Sequence, residues 1–187
     1  MSVSVRSRQR RVSVSASRLG AVARSALSKL GRLDRDLHVT VVGDREIRRL
    51  HERYLGGRRA TDVLAFNLES PGLSRLLGEV IISADTAARQ AARLGVAVAL
   101  EIDLLLLHGL LRLVGYDDHD PDQARLMHER EREILAQVRR RPPPARLWTG
   151  LIEQGAVTPA VATPRRKRAP RSRRRPIRVA VKLDHRS

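Results

Sequence analysis

The chain has 187 residues, of which 42% are hydrophobic and none is cysteine. That allows one domain with a real core plus an appendage, and it excludes disulfide frameworks, thiol catalysis and thiolate metal sites. Thirty-seven Lys and Arg against 20 Asp and Glu give a formal charge of +17 with only 2% aromatic residues. The partner it favours is therefore a polyanion, nucleic acid or an anionic membrane, gripped by charge with little stacking.

At the N-terminus there are arginines but no apolar run of the kind a secretory signal needs. The Ser/Val alternation of residues 2–5 predicts an edge strand, and a helix follows over residues 17–30. "RLDRDLHVTVVGD" predicts a strand at 37–42, with Asp44 capping a helix that aligns Ile47, Leu50 and Tyr54 on one face. "GGRRA" reads as a turn. "TDVLAFNL" and "LGEVIISA" are two further strands, with Thr61 and Asp62 organising the turn before the first of them. Asp85 opens the helix "TAARQAARLG", ended by Gly95. The apolar stretch over 97–114 carries Glu101, Asp103, His108 and Arg112, groups that would be costly in a membrane span. It reads as the buried helix of a soluble protein that does not engage a membrane. A last amphipathic helix spans 121–139. These elements predict an α/β (α+β) fold, a small mixed sheet packed with helices.

Charge divides the chain in two, a domain at 1–145 and a tail at 146–187 that holds 12 of the 37 basic residues and only two of the 20 acidic ones. The boundary is "RRRPPPAR", whose prolines stop the preceding helix. The tail lacks the apolar residues to fold alone and predicts a disordered Arg/Pro-rich segment that binds RNA backbone nonspecifically and with steep salt dependence.

Chemistry concentrates in "HGLLRLVGYDDHD", beginning at His108. Metal-hydrolase helices set two histidines at i and i+4, because 3.6 residues per turn points both the same way, and close the site after a glycine turn. Here His108 holds the first position, Arg112 the second, Gly115 the turn, and Asp118 the last, with His119 beside it. Three protein ligands would hold one Zn²⁺ and leave a position for an activated water. Arg112 cannot deprotonate to coordinate, so two ligands at most remain from this pattern. His108 also reads as a satisfied histidine of an apolar helix, and Asp118 and His119 as residues capping the final helix. Arg112 reads equally as a phosphate contact at a cleft mouth or as a snorkelling helix residue. His128 is read as an exposed helix residue, with a slim role as replacement ligand, and His38 and His51 as surface residues. "GGRRAT" is either a solvated hairpin or a phosphate-binding turn using Arg58 and Arg59.

The stretch resembles the signature H-G-x-L-H-L-x-G-Y-D-H of the YbeY family, bacterial metal-dependent endoribonucleases that mature ribosomal RNA. Other blocks match in the same order. "TDVLAF" resembles the family's TDVLSFP, "LGEVIIS" resembles LGDIVIS, and "ARLMHEREREIL" resembles the helix that follows, with Met127 at the family's methionine. The likeness covers about residues 37–138. It implies a cytoplasmic single-strand-specific endoribonuclease acting on rRNA and the ribosome in late 16S maturation and 70S quality control. It also implies one Zn²⁺ and His108 as catalytic and metal residue, with Asp118 and His119 completing the ligand set and Arg58, Arg59 and Arg112 meeting RNA. The family's second metal histidine is Arg112 here, its third falls on Asp118, and the arginine of its YRG turn is Leu55. The alternative is a weakened member that binds RNA or the ribosome without cutting. A metalloprotease is disfavoured, since Gly109 stands where the glutamate base of an HE motif belongs.

Overall fold

The computed structural model of the protein describes residues 1–56, 61–70, 72 and 74–148, and the backbone of a strand further on. The chain runs β1 (Val3–Ser7), α1 (Ala16–Lys29), β2 (Asp36–Val42), α2 (Asp44–Leu55), β3 (Val63–Asn67), β4 (Leu76–Ser83), α3 (Ala84–Leu94), α4 (Val98–Leu113), α5 (Pro121–Arg139) and β5 (Arg178–Leu183). One mixed sheet has the order β1-β2-β4-β3-β5. β1, β2 and β4 are parallel, whereas β3 runs antiparallel to β4 and to β5. The α/β reading with a small mixed sheet holds.

The sheet is covered on both faces, so β2 and β4 are buried along most of their length. One face carries the larger core: Val39, Val41, Val80 and Ile82 meet the apolar stripes of α1, α4 and α5. The opposite face carries a smaller one, where Ile47 of α2 packs with Val42, Leu64, Phe66 and Ile81. At α4 the burial is nearly complete, and each fully buried leucine there contributes about 1.5–3 kcal/mol. Two glycines make the helix-to-sheet approach possible. A Cβ on Gly109 would stand 2.6 Å from Val80 Cγ1, and one on Gly78 would stand 2.3 Å from the carbonyl oxygen of Phe66 and 2.9 Å from Leu113 Cδ2. Asp103, fully buried on the same helix, is matched by Arg18 of α1 and Arg139 of α5, each 2.8 Å away. That ion triad ties three helices together and explains a carboxylate inside an apolar run. No single helix among the described residues is long and apolar enough to cross a membrane.

Four expectations change. Gly43, not Asp44, is the N-cap of α2. Asp44 reaches across to the start of α3, accepting hydrogen bonds from Ser83 Oγ (2.5 Å), Thr86 Oγ1 (2.9 Å) and Arg89 Nη1 (2.7 Å). His51 is fully buried where a surface residue was expected, and Tyr54 is half exposed, touching Phe66 edge-on. The body also extends past 145, because a short helical turn (Ala145–Trp148) buries Leu147 and Trp148 in the main core. The indole had no partner legible in the local sequence. The expected tail lies mostly outside the described residues, with Arg178–Leu183 appearing as the strand beside β3.

The Asp44 cluster makes a pH-dependent contribution to stability. Partial burial raises its carboxyl pKa, but hydrogen bonds from Ser83, Arg89 and Thr86 and the Arg89 charge outweigh this, leaving it below the usual value. A folded-state pKa below the unfolded one stabilises the protein above the unfolded value and loses that contribution as pH falls through the folded one. Asp44→Asn is therefore expected to cost about 1 kcal/mol at neutral pH, reduced by the exposure of Arg89. In paired urea titrations the gap from wild type should close below about pH 4; a gap independent of pH would show that the ionised carboxylate is not what matters.

Candidate metal centre

The site is built where the C-terminal half of α4 meets the loop behind it and one face of α5. Gly115, with φ of +101°, turns the chain after α4, a conformation that favours glycine. The returning loop carries Asp117, Asp118 and His119. Asp120 then caps α5, its Oδ1 accepting from the backbone N–H groups of Asp122 and Gln123, both at 3.1 Å, and Pro121 sits at the first helical position. Because Asp120 fills the capping role, Asp118 and His119 are left for other work.

His108 is 3% exposed. Its Nδ1 lies 2.6 Å from Oε1 of Glu131, a fully buried residue of α5, and its Nε2 lies 3.7 Å from Asp118 Oδ2. Glu131 also meets His128, Nδ1 to Oε2 at 2.9 Å. Burial pushes the Glu131 carboxyl up, but His108 and His128 more than offset this and bring it down to about 2. Burial lowers the pKa of His108, and Glu131, with Asp62 of the segment before β3, opposes the shift. An ionised carboxylate only accepts, so His128 directs its Nδ1 proton at Glu131, and Nδ1 of His108, 2.6 Å from Oε1, is the nitrogen placed to carry that ring's proton. In neutral His108 the lone pair is then on Nε2. That atom is buried without a hydrogen-bond partner among the described residues.

Arg112 is on the same face of α4, four residues on, and is 4% exposed. Its guanidinium contacts Asp118 directly and stands 3.4 Å from Asp117 Oδ1. Burial pulls its pKa down to about 10, with Asp117 opposing, so it remains charged at neutral pH. It is therefore neither at a cleft mouth nor snorkelling. His119 is half exposed, with Nδ1 2.6 Å from Asp117 Oδ1 and 3.5 Å from Asp118 Oδ1. Asp117 is acidified: a burial effect that raises its pKa is overcome by His119 and Arg112.

Among the described residues, two groups have donor atoms close enough to hold a metal ion, His108–His128–Glu131 and Asp117–Asp118–His119. They adjoin at His108 Nε2 and Asp118 Oδ2. The 3.7 Å between those atoms is close to the spacing of two ligands each about 2.0–2.2 Å from one ion. Among the described residues, Glu131, Asp62 and Asp118 act on or stand beside His108, against the cation of Arg112, so the field there also favours a cation. The donor set fits a divalent metal.

The structure thus brings together His108, Asp118, His119 and Arg112. Arg58 and Arg59 lie outside the described residues. Sequence reasoning missed Glu131 and gave Asp62 only a turn-forming role. It also placed His128 on the surface, whereas His128 is largely buried against Glu131. A faint signal existed, since His128 and Glu131 stand at i and i+3 on the helix that follows the metal turn.

The model of the family described as endoribonuclease YbeY matches residues 4–139. Among similar curated proteins, the endoribonuclease YbeY of an Anaeromyxobacter species is 46% identical over 135 residues, covering 72% of this chain and 70% of its own. That of Geobacter sulfurreducens is 42% identical over 142 residues, covering 73% and 95%. A solved structure, the solution structure of TM1509 from Thermotoga maritima, shares the fold with a TM-score of 0.51 at 22% identity, covering 73% of this chain and 88% of its own. With strand blocks, metal-turn stretch and α5 all inside the matched span, the chain belongs to the endoribonuclease YbeY family.

Proposed function

We propose that the protein is a hydrolase, an endoribonuclease of ribosomal RNA processing, acting through the metal centre at His108. The observation that carries this reading is the buried imidazole of His108, with Nδ1 held by Glu131 and an unpartnered Nε2 3.7 Å from Asp118. His108 and Asp118 would hold a single Zn²⁺, with His119 as third ligand. Bound there, such an ion would supply Lewis-acid polarisation of a phosphoryl oxygen and activation of water.

The chain's own groups do the rest. Glu131 keeps a proton on His108 Nδ1 and so fixes which nitrogen faces the centre. Arg112 holds Asp118 in place and offsets part of the carboxylate charge, which would otherwise repel an RNA phosphodiester. Arg58 and Arg59 precede β3 in the segment that leads into Asp62. They are the backbone contacts in this reading, with the basic residues beyond Trp148 adding nonspecific affinity. The same family membership supports the ribosome as partner and the cytoplasm, where ribosomes assemble, as the compartment.

Two measurements test this. Purified protein should cleave single-stranded RNA, lose that activity to a chelator and regain it with added Zn²⁺; cleavage indifferent to chelation would remove the metal from the reading. Arg112→His should raise Zn²⁺ affinity by restoring an imidazole at i+4 and freeing Asp118, an increase of at least about tenfold by analogy with supporting residues around metal ligands. Unchanged affinity would mean that Arg112 does not limit the site.

A further inference from the structure

The parallel strands β1, β2 and β4 end together on the β1 side of the sheet. β2 and β4 are neighbours, yet the helices that follow them leave to opposite faces. α2 packs on the smaller core through Ile47, and α3 on the larger one through Ala84 and Ala87. Such a switch point opens a crevice outside the carboxyl ends of the strands, where ligands bind in open α/β sheets. Here the crevice measures about 790 Å³.

Five arginines line it: Arg8, Arg10 and Arg11 from the segment after β1, and Arg45 and Arg49 from α2. Its two acids are already engaged. Glu46 is 2.8 Å from Arg8 and Asp85 is 3.8 Å from Arg11, and Asp85 also accepts from the Asp44 backbone N–H at 3.0 Å. Arg10, Arg45 and Arg49 are exposed and form no ion pair among the described residues. Arg45 sits in the first turn of α2, where a cation opposes the helix dipole, so fold stability does not account for its charge. The α2 N-terminus is already met by Asp85 at the Asp44 N–H, so the positive charge of the crevice comes from the arginines. Positive charge collected in a concave site focuses potential beyond what a net charge of +17 spreads over the surface.

We propose that this crevice is a second RNA site, holding the phosphodiester backbone of the substrate strand away from the scissile bond. The assignment rests on the endoribonuclease reading above. Among the described residues the crevice is lined without aromatic side chains, so it reads phosphates and not bases. β1 and β3 are three strand spacings apart, about 14 Å, and the metal centre lies at β3, where a Cβ on Gly109, next to His108, would stand 3.3 Å from Val63 Cγ2. A strand lying in the crevice and reaching the metal centre must therefore run across the strand ends, so RNA too short to span them would not use it.

The test uses full-length protein, a long fluorescein-labelled single-stranded RNA and a short one, with Arg10→Glu, Arg45→Glu and Arg49→Glu combined. Long-RNA affinity is expected to fall at least about tenfold at moderate salt. The slope of log affinity against log salt should flatten by about 2, near 0.7 per lost phosphate contact on a single strand. KM for the long RNA should rise, while kcat and cleavage of the short RNA stay as in wild type. The thermal midpoint checks folding, and an Arg45→Gln, Arg49→Gln pair, which adds no acid, should show an intermediate slope. If wild type cleaves RNA while these variants keep its long-RNA affinity and slope, the crevice proposal fails alone. If wild type neither binds nor cleaves RNA, the endoribonuclease reading fails and the crevice assignment with it. An equal loss on both RNAs would also overturn it, placing the arginines at the metal centre instead.

Discussion

Replacing His108 by Ala is expected to abolish RNA cleavage and to remove the tightly bound fraction of Zn²⁺. Among the described residues at the centre, the imidazole of His108 offers a buried ring nitrogen without a hydrogen-bond partner, and Asp118, already engaged by Arg112, with the half-exposed His119 would hold the ion only weakly. Glu131→Gln is the informative companion. A neutral amide cannot receive two imidazole protons as an ionised carboxylate does, and its NH₂ group would face one of the rings. The ring of His108 then loses its fixed tautomer, and metal affinity should drop about 10- to 100-fold, as for other residues that orient a metal-bound histidine. His108→Ala should exceed that loss. Metal content by mass spectrometry, Zn²⁺ titration and single-turnover RNA cleavage read both variants. Wild-type cleavage surviving in His108→Ala would move the catalytic centre elsewhere. Unchanged Zn²⁺ affinity in Glu131→Gln would reduce Glu131 to a core residue.

The largest effect on stability is expected at the end of the folded body. Trp148 is 3% exposed and packs in the main core with Leu147. Arg132 of α5 also lies over the indole, 5.2 Å from its ring centre. Trp148→Ala should cost about 3–5 kcal/mol, the range for emptying a buried aromatic site, and lower the thermal midpoint by roughly 10 °C for a domain of this size. Ending the chain before residue 146 should cost at least as much, since Leu147 leaves too. Arg132→Ala should cost well under half of it, because an exposed cation over a ring contributes only about 0.5–1 kcal/mol. A truncation at that point with an unchanged midpoint would return the domain boundary to residue 145.

The sequence by itself determined the features that depend on near neighbours. The limits of α5 follow from Asp120, Pro121 and an amphipathic period, and those of α4 from an apolar run closed by the Gly115 turn. Strands β2 and β4 were legible from their Val, Ile and Thr residues, and β3 as a short apolar run with Val63 and Phe66, each between turn residues. His108 was legible as the first metal position because i+4 and i+7 spacing is local geometry. Only the tertiary structure decided what completes the centre. Glu131 is 23 residues from His108 and Asp62 is 46 away, and no local rule pairs them. Arg112 was ambiguous for the same reason: a long cationic side chain on an apolar helix can turn toward solvent or toward a carboxylate, and the loop carrying Asp118 decided it. Leu147 and Trp148 looked like the start of a basic tail because their burial depends on a core assembled from distant segments. The arginine-lined crevice was equally hidden, since it exists only where the ends of β1, β2 and β4 converge and α2 and α3 part to opposite faces.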